Sequence, residues 1–253
     1  FKLPGTKGGL AACTALTAQG IGVTITVNFG LFQHIPFAEA MAQGQAIFSC
    51  LVEMNGRLAF PVRDELLASL PELAEAGIDE PLAREAAAWA GVAPIIRAYA
   101  LLKQRAYDLR RYKPLVASLR VYEGGGYDNL PSAFPDMTEI LGATILSVFP
   151  NVRRAFDAVP NIGMAPMRIE EPVPGHLLSV LCHSEIFKQA YYVGDRTWVP
   201  HEEERFQPEA ELTLDQESVV FDWPPVYNTM TQFQNAYDTF VERSLARKRL
   251  LAG

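Results

Sequence analysis

The sequence predicts an α/β protein built around a parallel sheet. Short segments rich in Val, Ile and Thr, such as residues 22–29, alternate with longer segments rich in Ala and Leu. Glycine and proline stand at many junctions between them, where they end or begin helices. Strands that alternate with helices are joined by crossovers and form parallel sheets. Five such strands are predicted up to residue 150, and the pattern changes beyond it.

The elements are predicted in the following order. The strands lie around Lys2, at residues 22–29, around Ser49, and at residues 115–122 and 144–150. The helices lie at residues 7–18, 33–43, 61–106 and 137–141. The third helical region is long and contains residues that interrupt helices, so it is predicted to be several shorter helices with breaks at Pro71, Gly77, Pro81, Gly91 and Pro94.

Residues 151–253 are predicted to be a C-terminal extension packed on the same domain as the strands of residues 1–150. Short helical signals, including residues 183–191, are followed by a segment rich in Pro and acidic residues at 192–225. We interpret Glu202–Glu204 in that segment as a solvated loop or helix face rather than a metal site. Residues 227–251 predict a closing amphipathic helix, whose basic C-terminal end suits the helix dipole.

Composition excludes several classes of function. The chain of 253 residues has 29 acidic and 22 basic residues and a net charge of −7, which argues against broad nucleic-acid binding. No apolar run reaches membrane-spanning length, and no signal peptide is visible. The three cysteines include no CxxC and the four histidines lack metal-ligand spacing, so neither a disulfide framework nor a metal site is predicted and a reducing cytoplasm is expected.

Lys2 is the most informative candidate for chemistry. The strand that follows it in sequence carries Thr24 and Thr26, which period-2 alternation places on one face. If the two strands are parallel neighbours, a lysine and two threonines converge on one interior. Burial among apolar and hydroxyl groups favours the neutral amine, which is the nucleophile in Schiff-base chemistry. The alternative is a surface lysine at a strand edge.

Other motifs do not support a catalytic role. Gly5–Gly9 is similar to a phosphate-binding loop, but the G-x-x-x-x-G-K-[ST] pattern is absent. The Gly124–Gly126 triplet lacks the G-x-G-x-x-G frame of a dinucleotide site. Both are interpreted as turns.

The order of motifs over residues 1–150 resembles the transaldolase family. Lys2 with Thr6, and the strand containing Thr24 and Thr26, are similar to its fourth and fifth barrel strands. The sixth, seventh and eighth strands are matched by residues 46–57 with Ser49 and Arg57, residues 117–120 with Ser118 and Arg120, and residues 144–150. Each motif alone is weak, but the five occur in the family's order and at similar spacing.

The resemblance implies a (β/α)8 TIM barrel that here lacks the first three strands, with a C-terminal helical extension. An upstream segment or separate fragment would supply those strands and the acid/base carboxylates that they carry in the family. The chain alone is therefore expected to be aggregated or inactive, with its lysine solvated. Activity is expected to return when an upstream segment supplies the missing strands.

The resemblance also implies an enzymatic activity. Lys2 would form an imine with a ketose phosphate and transfer a dihydroxyacetone unit to an aldose phosphate, in the cytoplasm and within the pentose phosphate pathway of carbohydrate metabolism. The catalytic group would comprise Lys2, Thr24, Thr26 and Ser49. The substrate phosphate would be held by Arg57, Ser118 and Arg120. Neither a cofactor nor a metal is implied, sugar phosphates are the expected partners, and a homo-oligomer stays open.

Three departures from the family bear on the mechanism. Thr24 stands where the family usually has Asn, and three extra residues, 53–55, precede Gly56 and Arg57. Leu51 stands where the family has an aromatic residue and its lyase relatives a water-positioning tyrosine, which favours transfer over lysis. Glu53 is a weak candidate for a substitute acid/base. Two alternatives stay open: a sugar-phosphate aldolase on the same scaffold, and a catalytically silent barrel remnant that binds a sugar phosphate or a partner.

Overall fold

The computed structural model contains a five-stranded sheet in which every neighbouring pair of strands is parallel. It describes residues 1–142, 145–160, 162, 166–192 and 211–252. The strands are β1 (Lys2–Pro4), β2 (Thr24–Thr26), β3 (Ser49–Met54), β4 (Tyr112–Ala117) and β5 (Ile145–Leu146). The predicted α/β class and parallel sheet are thereby confirmed.

Helices connect each strand to the next. One helix, α1 (Lys7–Ala18), connects β1 to β2, and α2 (Leu31–Gln43) connects β2 to β3. Between β3 and β4 lie α3 (Asn55–Ala68), α4 (Leu70–Leu73), a 3₁₀ turn (Ala74–Ala76), α5 (Glu80–Ala88) and α6 (Val92–Gln104), and α7 (Pro135–Thr138) precedes β5. The C-terminal part contains α8 (Pro150–Ala158), a 3₁₀ turn (Arg168–Glu170), α9 (Gly175–Leu181), α10 (Glu185–Tyr191), α11 (Glu217–Asp222) and α12 (Pro224–Ala252).

The element boundaries follow from local backbone chemistry. The 3₁₀ turn after α4 ends at Gly77, whose φ of 74° lies in the left-handed region that glycine adopts without strain. Asp79 caps α5, because its side chain accepts a hydrogen bond from the Leu82 N–H. The structure ends β4 at Ala117, earlier than the predicted residue 122, because Ser118 turns the backbone into the left-handed region with φ 57°.

The strand order decides where the helices lie. The strands are arranged β1-β2-β3-β4-β5, without a reversal of direction across the sheet. Crossovers between parallel strands are right-handed, so a sequential order places all connecting helices on one face of the sheet. Side chains on this helix face, including Ile25, Leu51 and Val116, are fully buried. The opposite face, which we call the open face, is less covered.

The sheet has an unpaired edge on each side within the described residues. One edge is β1, which pairs only with β2, and the other is β5, which pairs only with β4. The closing helix predicted at residues 227–251 is observed as α12, which packs against α11 and α3 at its start and is mostly exposed beyond Met230. None of the described helices combines the length and the apolar character needed to cross a membrane.

Candidate functional site

Lys2 and the two threonines lie on the same face of the sheet. Lys2 pairs in register with Thr24, and Pro4 pairs with Thr26. Register partners on parallel strands point to the same side, and positions two apart share a face. The face is the open one, because Ile25 between the threonines points into the helix-side core. Lys2 is exposed, as expected for a barrel that lacks its first three strands, because β1 is an edge strand and no described element covers it.

The row that begins at Lys2 continues across the sheet through residues that the sequence analysis did not select. Thr24 pairs in register with Cys50, and Cys50 with Lys113. Burial raises the pKa of the Cys50 thiol, while a hydrogen bond with the Thr24 side chain and the charge of Lys113 act in the opposite direction. The open face therefore carries two amines, with a hydroxyl and a thiol between them. Alternation along β3 and β4 would have predicted the row if the registers had been known.

Ser49 lies apart from this row. It is adjacent to Cys50 in β3, so its side chain points to the helix face, where it is 2% exposed. The Ser49 hydroxyl accepts a hydrogen bond from the Val23 N–H at 3.2 Å. Its position at the start of β3 is also distant from the carboxyl ends of the strands. Ser49 therefore ties β3 to the segment before β2, and Cys50 stands in the place that was predicted for it.

Glu53 also lies on the helix face and is paired there. Its carboxylate oxygen Oε2 is 2.7 Å from His34 Nε2, and both side chains are almost completely buried. The Asn28 amide lies 3.3 Å from His34 Nδ1. Burial lowers the pKa of His34 to about 3, and burial followed by the charge of Asp136 raises the pKa of Glu53 well above its ordinary value. Because Glu53 points away from Lys2, it cannot act as acid or base at that amine.

Arg57 and Arg120 meet in one cavity at the carboxyl ends of two neighbouring strands. Arg57 lies in the first turn of α3, directly after β3, and Arg120 lies three residues beyond β4. The cavity has a volume of about 160 Å³ and is lined by Gly56, Arg57, Phe60, Pro61, Arg120, Asn228, Thr229 and Gln232. Neither guanidinium forms an ion pair with a carboxylate of the described residues.

The electrostatics of this cavity favour an anion. Burial and then the charge of Arg120 lower the pKa of Arg57, so the two cations repel each other across the space. A phosphate would relieve this repulsion and would accept hydrogen bonds from both planar guanidinium groups. The first turn of α3 adds the positive end of a helix dipole. We call this cavity, defined by Arg57, Arg120 and Gly56, the arginine pocket.

Gly56 allows the two arginines to approach each other. A Cβ atom at this position would lie 2.4 Å from Arg120 Cγ and 2.5 Å from the Ser118 carbonyl oxygen. Both distances are shorter than van der Waals contact, so only glycine leaves room for the chain after β4 to cross the start of α3. Ser118 itself is buried and has a left-handed backbone, which turns the chain toward Arg120.

Asp136 fixes the backbone that carries Arg120. Its carboxylate oxygen Oδ2 accepts hydrogen bonds from the Arg120 N–H at 2.9 Å and from the Tyr122 hydroxyl at 3.3 Å. Burial raises the pKa of Asp136 from 3.8 to about 7, against the lowering effect of the Arg120 N–H. No sequence motif indicated this residue, because it comes from α7 and lies sixteen positions from its partner. An aspartate just inside a short helix carries no signal of such a role.

No group of metal ligands occurs among the described residues, and a larger cavity of about 640 Å³, lined by Tyr99, Lys103 and Glu170 among others, contains none of the residues at the ends of the strands. Lys103 in that cavity is paired with Glu170 at 2.6 Å. Thr144 and the Glu202–Glu204 run lie outside the described residues.

A scan against protein-family models and a search of curated proteins both gave no match for this chain. The likeness to transaldolases therefore rests on the sequence motifs alone.

Proposed function

We propose that this protein is a transaldolase-like enzyme that transfers a dihydroxyacetone unit from a ketose phosphate to an aldose phosphate. The observation that carries the proposal is the arginine pocket: two arginines line one cavity without a carboxylate partner among the described residues, at the end of the sheet where parallel strands present their ligands. Lys2 and Thr26 lie on the open face of the same sheet, with Lys2 in register with the starts of β3 and β4 and Thr26 nearer the strand ends that carry the arginines. The arrangement suits a substrate with a carbonyl group at one end and a phosphate at the other.

The proposed chemistry uses Lys2 as the nucleophile. Its neutral amine adds to the ketose carbonyl carbon, and loss of water leaves a protonated imine. Removal of the proton from the C4 hydroxyl then breaks the C3–C4 bond, which releases an aldose phosphate and leaves the electron pair on the enzyme-bound three-carbon unit. The acceptor aldehyde takes up that pair, and water releases the product from Lys2. Thr24 and Thr26 would donate hydrogen bonds to the hydroxyls of the bound unit.

The proposal includes a closed barrel. Doubly wound sheets reverse their strand order, whereas a barrel keeps sequential order and places every helix outside. The observed order and the two unpaired edges fit five consecutive strands of a (β/α)8 barrel. Three further strands, from an upstream segment or a second fragment, would pair with β1 and β5 and bury Lys2. They would also supply the carboxylates that move protons during the reaction. The enzyme would then work in the cytoplasm, within the pentose phosphate pathway.

A specific observation bears on each alternative. The side chain of Leu51 is fully buried on the helix face, so neither it nor a phenol at that position would reach substrate from this strand, and lysis gains no support. The exposure of Lys2 favours the third candidate, a catalytically silent sugar-phosphate-binding protein, because no described element encloses the amine. Covalent trapping separates this candidate from the enzyme.

The test is reduction with borohydride in the presence of a ketose phosphate, followed by peptide mapping. Borohydride reduces the imine irreversibly, so even a sparsely populated imine accumulates as a stable adduct. We expect the adduct on Lys2, its loss in Lys2→Met, and its retention in Lys113→Met, the matched control from the same row of the sheet. An adduct on Lys7 or Lys113 would contradict the assignment. Absence of any adduct, with phosphate binding intact, would favour the silent binding protein.

A further inference from the structure

The arginine pocket has a third wall that no sequence motif indicated. It is formed by residues 228–232 of α12, a helix that packs against α3. Asn228, Thr229 and Gln232 of this helix line the cavity together with the two arginines. These residues lie more than a hundred positions beyond Arg120, so the pocket is completed by the C-terminal helix.

Thr229 is the residue of this wall that points to a ligand. Its side chain is 0% exposed, and its hydroxyl has no hydrogen-bond partner among the described residues. A buried hydroxyl without a partner destabilises a protein, and native structures rarely retain one without a reason. The Arg57 Nε in the same cavity is likewise buried without a partner. Both unsatisfied donors therefore belong to residues that line a cavity of a size for several water molecules, since one water takes about 30 Å³ of liquid volume.

Gln232 occupies part of the space that an anion would need. Its side-chain oxygen Oε1 accepts a hydrogen bond from Arg57 Nη1 at 2.7 Å. Phe233 lies beside it, with the Arg57 guanidinium carbon 5.2 Å from the ring centroid. The amide oxygen thus satisfies one donor of Arg57 in the way a phosphate oxygen would, although it carries no charge.

We propose that α12 takes part in phosphate recognition, with Thr229 as a third ligand of the phosphate and Gln232 as an internal competitor that the phosphate displaces from Arg57. This inference rests on the proposed function, because it assigns new residues to the phosphate end of the same site. The two residues act in opposite directions. The Thr229 hydroxyl donates to the bound phosphate and strengthens binding, whereas Gln232 holds Arg57 in the absence of ligand and weakens it.

The opposite directions give a signature that a purely structural role would not produce. Thr229→Val keeps the shape of the side chain and removes a hydroxyl that has no partner in the free protein. We therefore expect unchanged or higher thermal stability, with affinity for phosphate reduced about tenfold or more, as for a hydrogen bond to a charged group. Gln232→Ala frees Arg57, so phosphate affinity should rise roughly threefold or more, because the binding-competent state becomes more populated.

Binding of inorganic phosphate to the whole chain, measured by isothermal titration calorimetry, tests the inference. Thr231→Val and Gln234→Ala are the matched controls, since both residues are exposed on α12 and do not line the cavity. Arg120→Ala distinguishes a failure of the proposed role of α12 from a failure of the phosphate site itself. If Arg120→Ala abolishes binding while Thr229→Val and Gln232→Ala bind like the wild type, the role of α12 is refuted and the phosphate site stands. If Arg120→Ala binds like the wild type, the phosphate site fails and the inference fails with it.

Discussion

Gly56→Ala tests the geometry of the arginine pocket at a single methyl group. The new Cβ would lie 2.4 Å from Arg120 Cγ and 2.5 Å from the Ser118 carbonyl oxygen. The side chain of Arg120 can turn away, but the Ser118 oxygen belongs to the backbone. That backbone is held from the other side, because the Arg120 N–H donates to Asp136. Something must therefore move by about 1 Å to restore ordinary contact distances of about 3.5 Å.

The magnitude follows from two separate effects. Inserting a methyl group into a packed site costs typically 1–3 kcal/mol, so the free energy of unfolding should fall by about 1–3 kcal/mol. Displacement of the Arg120 guanidinium removes a hydrogen bond to a charged group, which contributes about 1.5–3 kcal/mol. Phosphate affinity should consequently fall by roughly ten- to a hundredfold, at about 1.4 kcal/mol per factor of ten.

Calorimetric titration with inorganic phosphate and urea unfolding measure the two effects on the same samples. Gly8→Ala is the matched control, because Gly8 lies inside α1 and an added Cβ would contact nothing within 4 Å. That variant should bind phosphate like the wild type and be at least as stable, because Ala is favoured over Gly in a helix. Unchanged phosphate affinity in Gly56→Ala, with the expected loss of stability, would show that the approach of Arg120 to α3 does not serve binding.

Two further predictions follow from the buried charges and from the sheet edges. Burial raises the pKa of Asp136 from 3.8 to about 7, so its contribution to stability is complete below pH 3.8 and lost as the pH rises through 7. The free energy of unfolding of Asp136→Asn, measured in urea, should therefore rise relative to that of the wild type as the pH increases from about 4 to about 8, by up to about 4 kcal/mol. A difference between the two proteins that does not vary with pH would contradict the raised pKa. The unpaired edges of β1 and β5 predict that this chain alone aggregates or lacks turnover. Turnover should return when an upstream segment of roughly a hundred residues or more, carrying three further strands, is supplied in cis or as a second fragment. A soluble, active monomer of residues 1–253 would refute the open-barrel interpretation.

The class and connectivity of the fold could be predicted from local patterns. The helix at Lys7–Ala18 was predicted with its observed boundaries from its Ala and Leu content and from Gly20 beyond its end, and the structure adds Thr6, whose side chain accepts a hydrogen bond from the Gly9 N–H, as its N-cap. The parallel sheet followed from the alternation of strands and helices. Barrel closure was not predictable from these patterns, because it depends on long-range pairing at the edges of the sheet.

The candidate site was predictable only where it depends on alternation within one strand. Thr24 and Thr26 share a face whatever the neighbouring strands do, and the structure places them beside Lys2. Ser49 is adjacent in sequence to Cys50, which is the residue of β3 that lies in the Lys2 row. A shift of one residue along a strand moves a side chain to the opposite face of the sheet. Asp136 and Thr229 reach the pocket from elements distant in sequence, so no spacing pattern could have indicated them.

The central claim is that Lys2 and the arginine pocket act on one substrate, and differential trapping tests it most directly. The yield of reduced adduct at Lys2 is measured with fructose 6-phosphate and with fructose, in the wild type and in Arg120→Ala. We predict that the phosphorylated sugar labels Lys2 roughly ten- to a hundredfold more efficiently in the wild type, and that Arg120→Ala removes this advantage while labelling by fructose changes little. Equal labelling by the two sugars in the wild type, or equal losses for both in Arg120→Ala, would show that the amine and the arginines do not share a substrate.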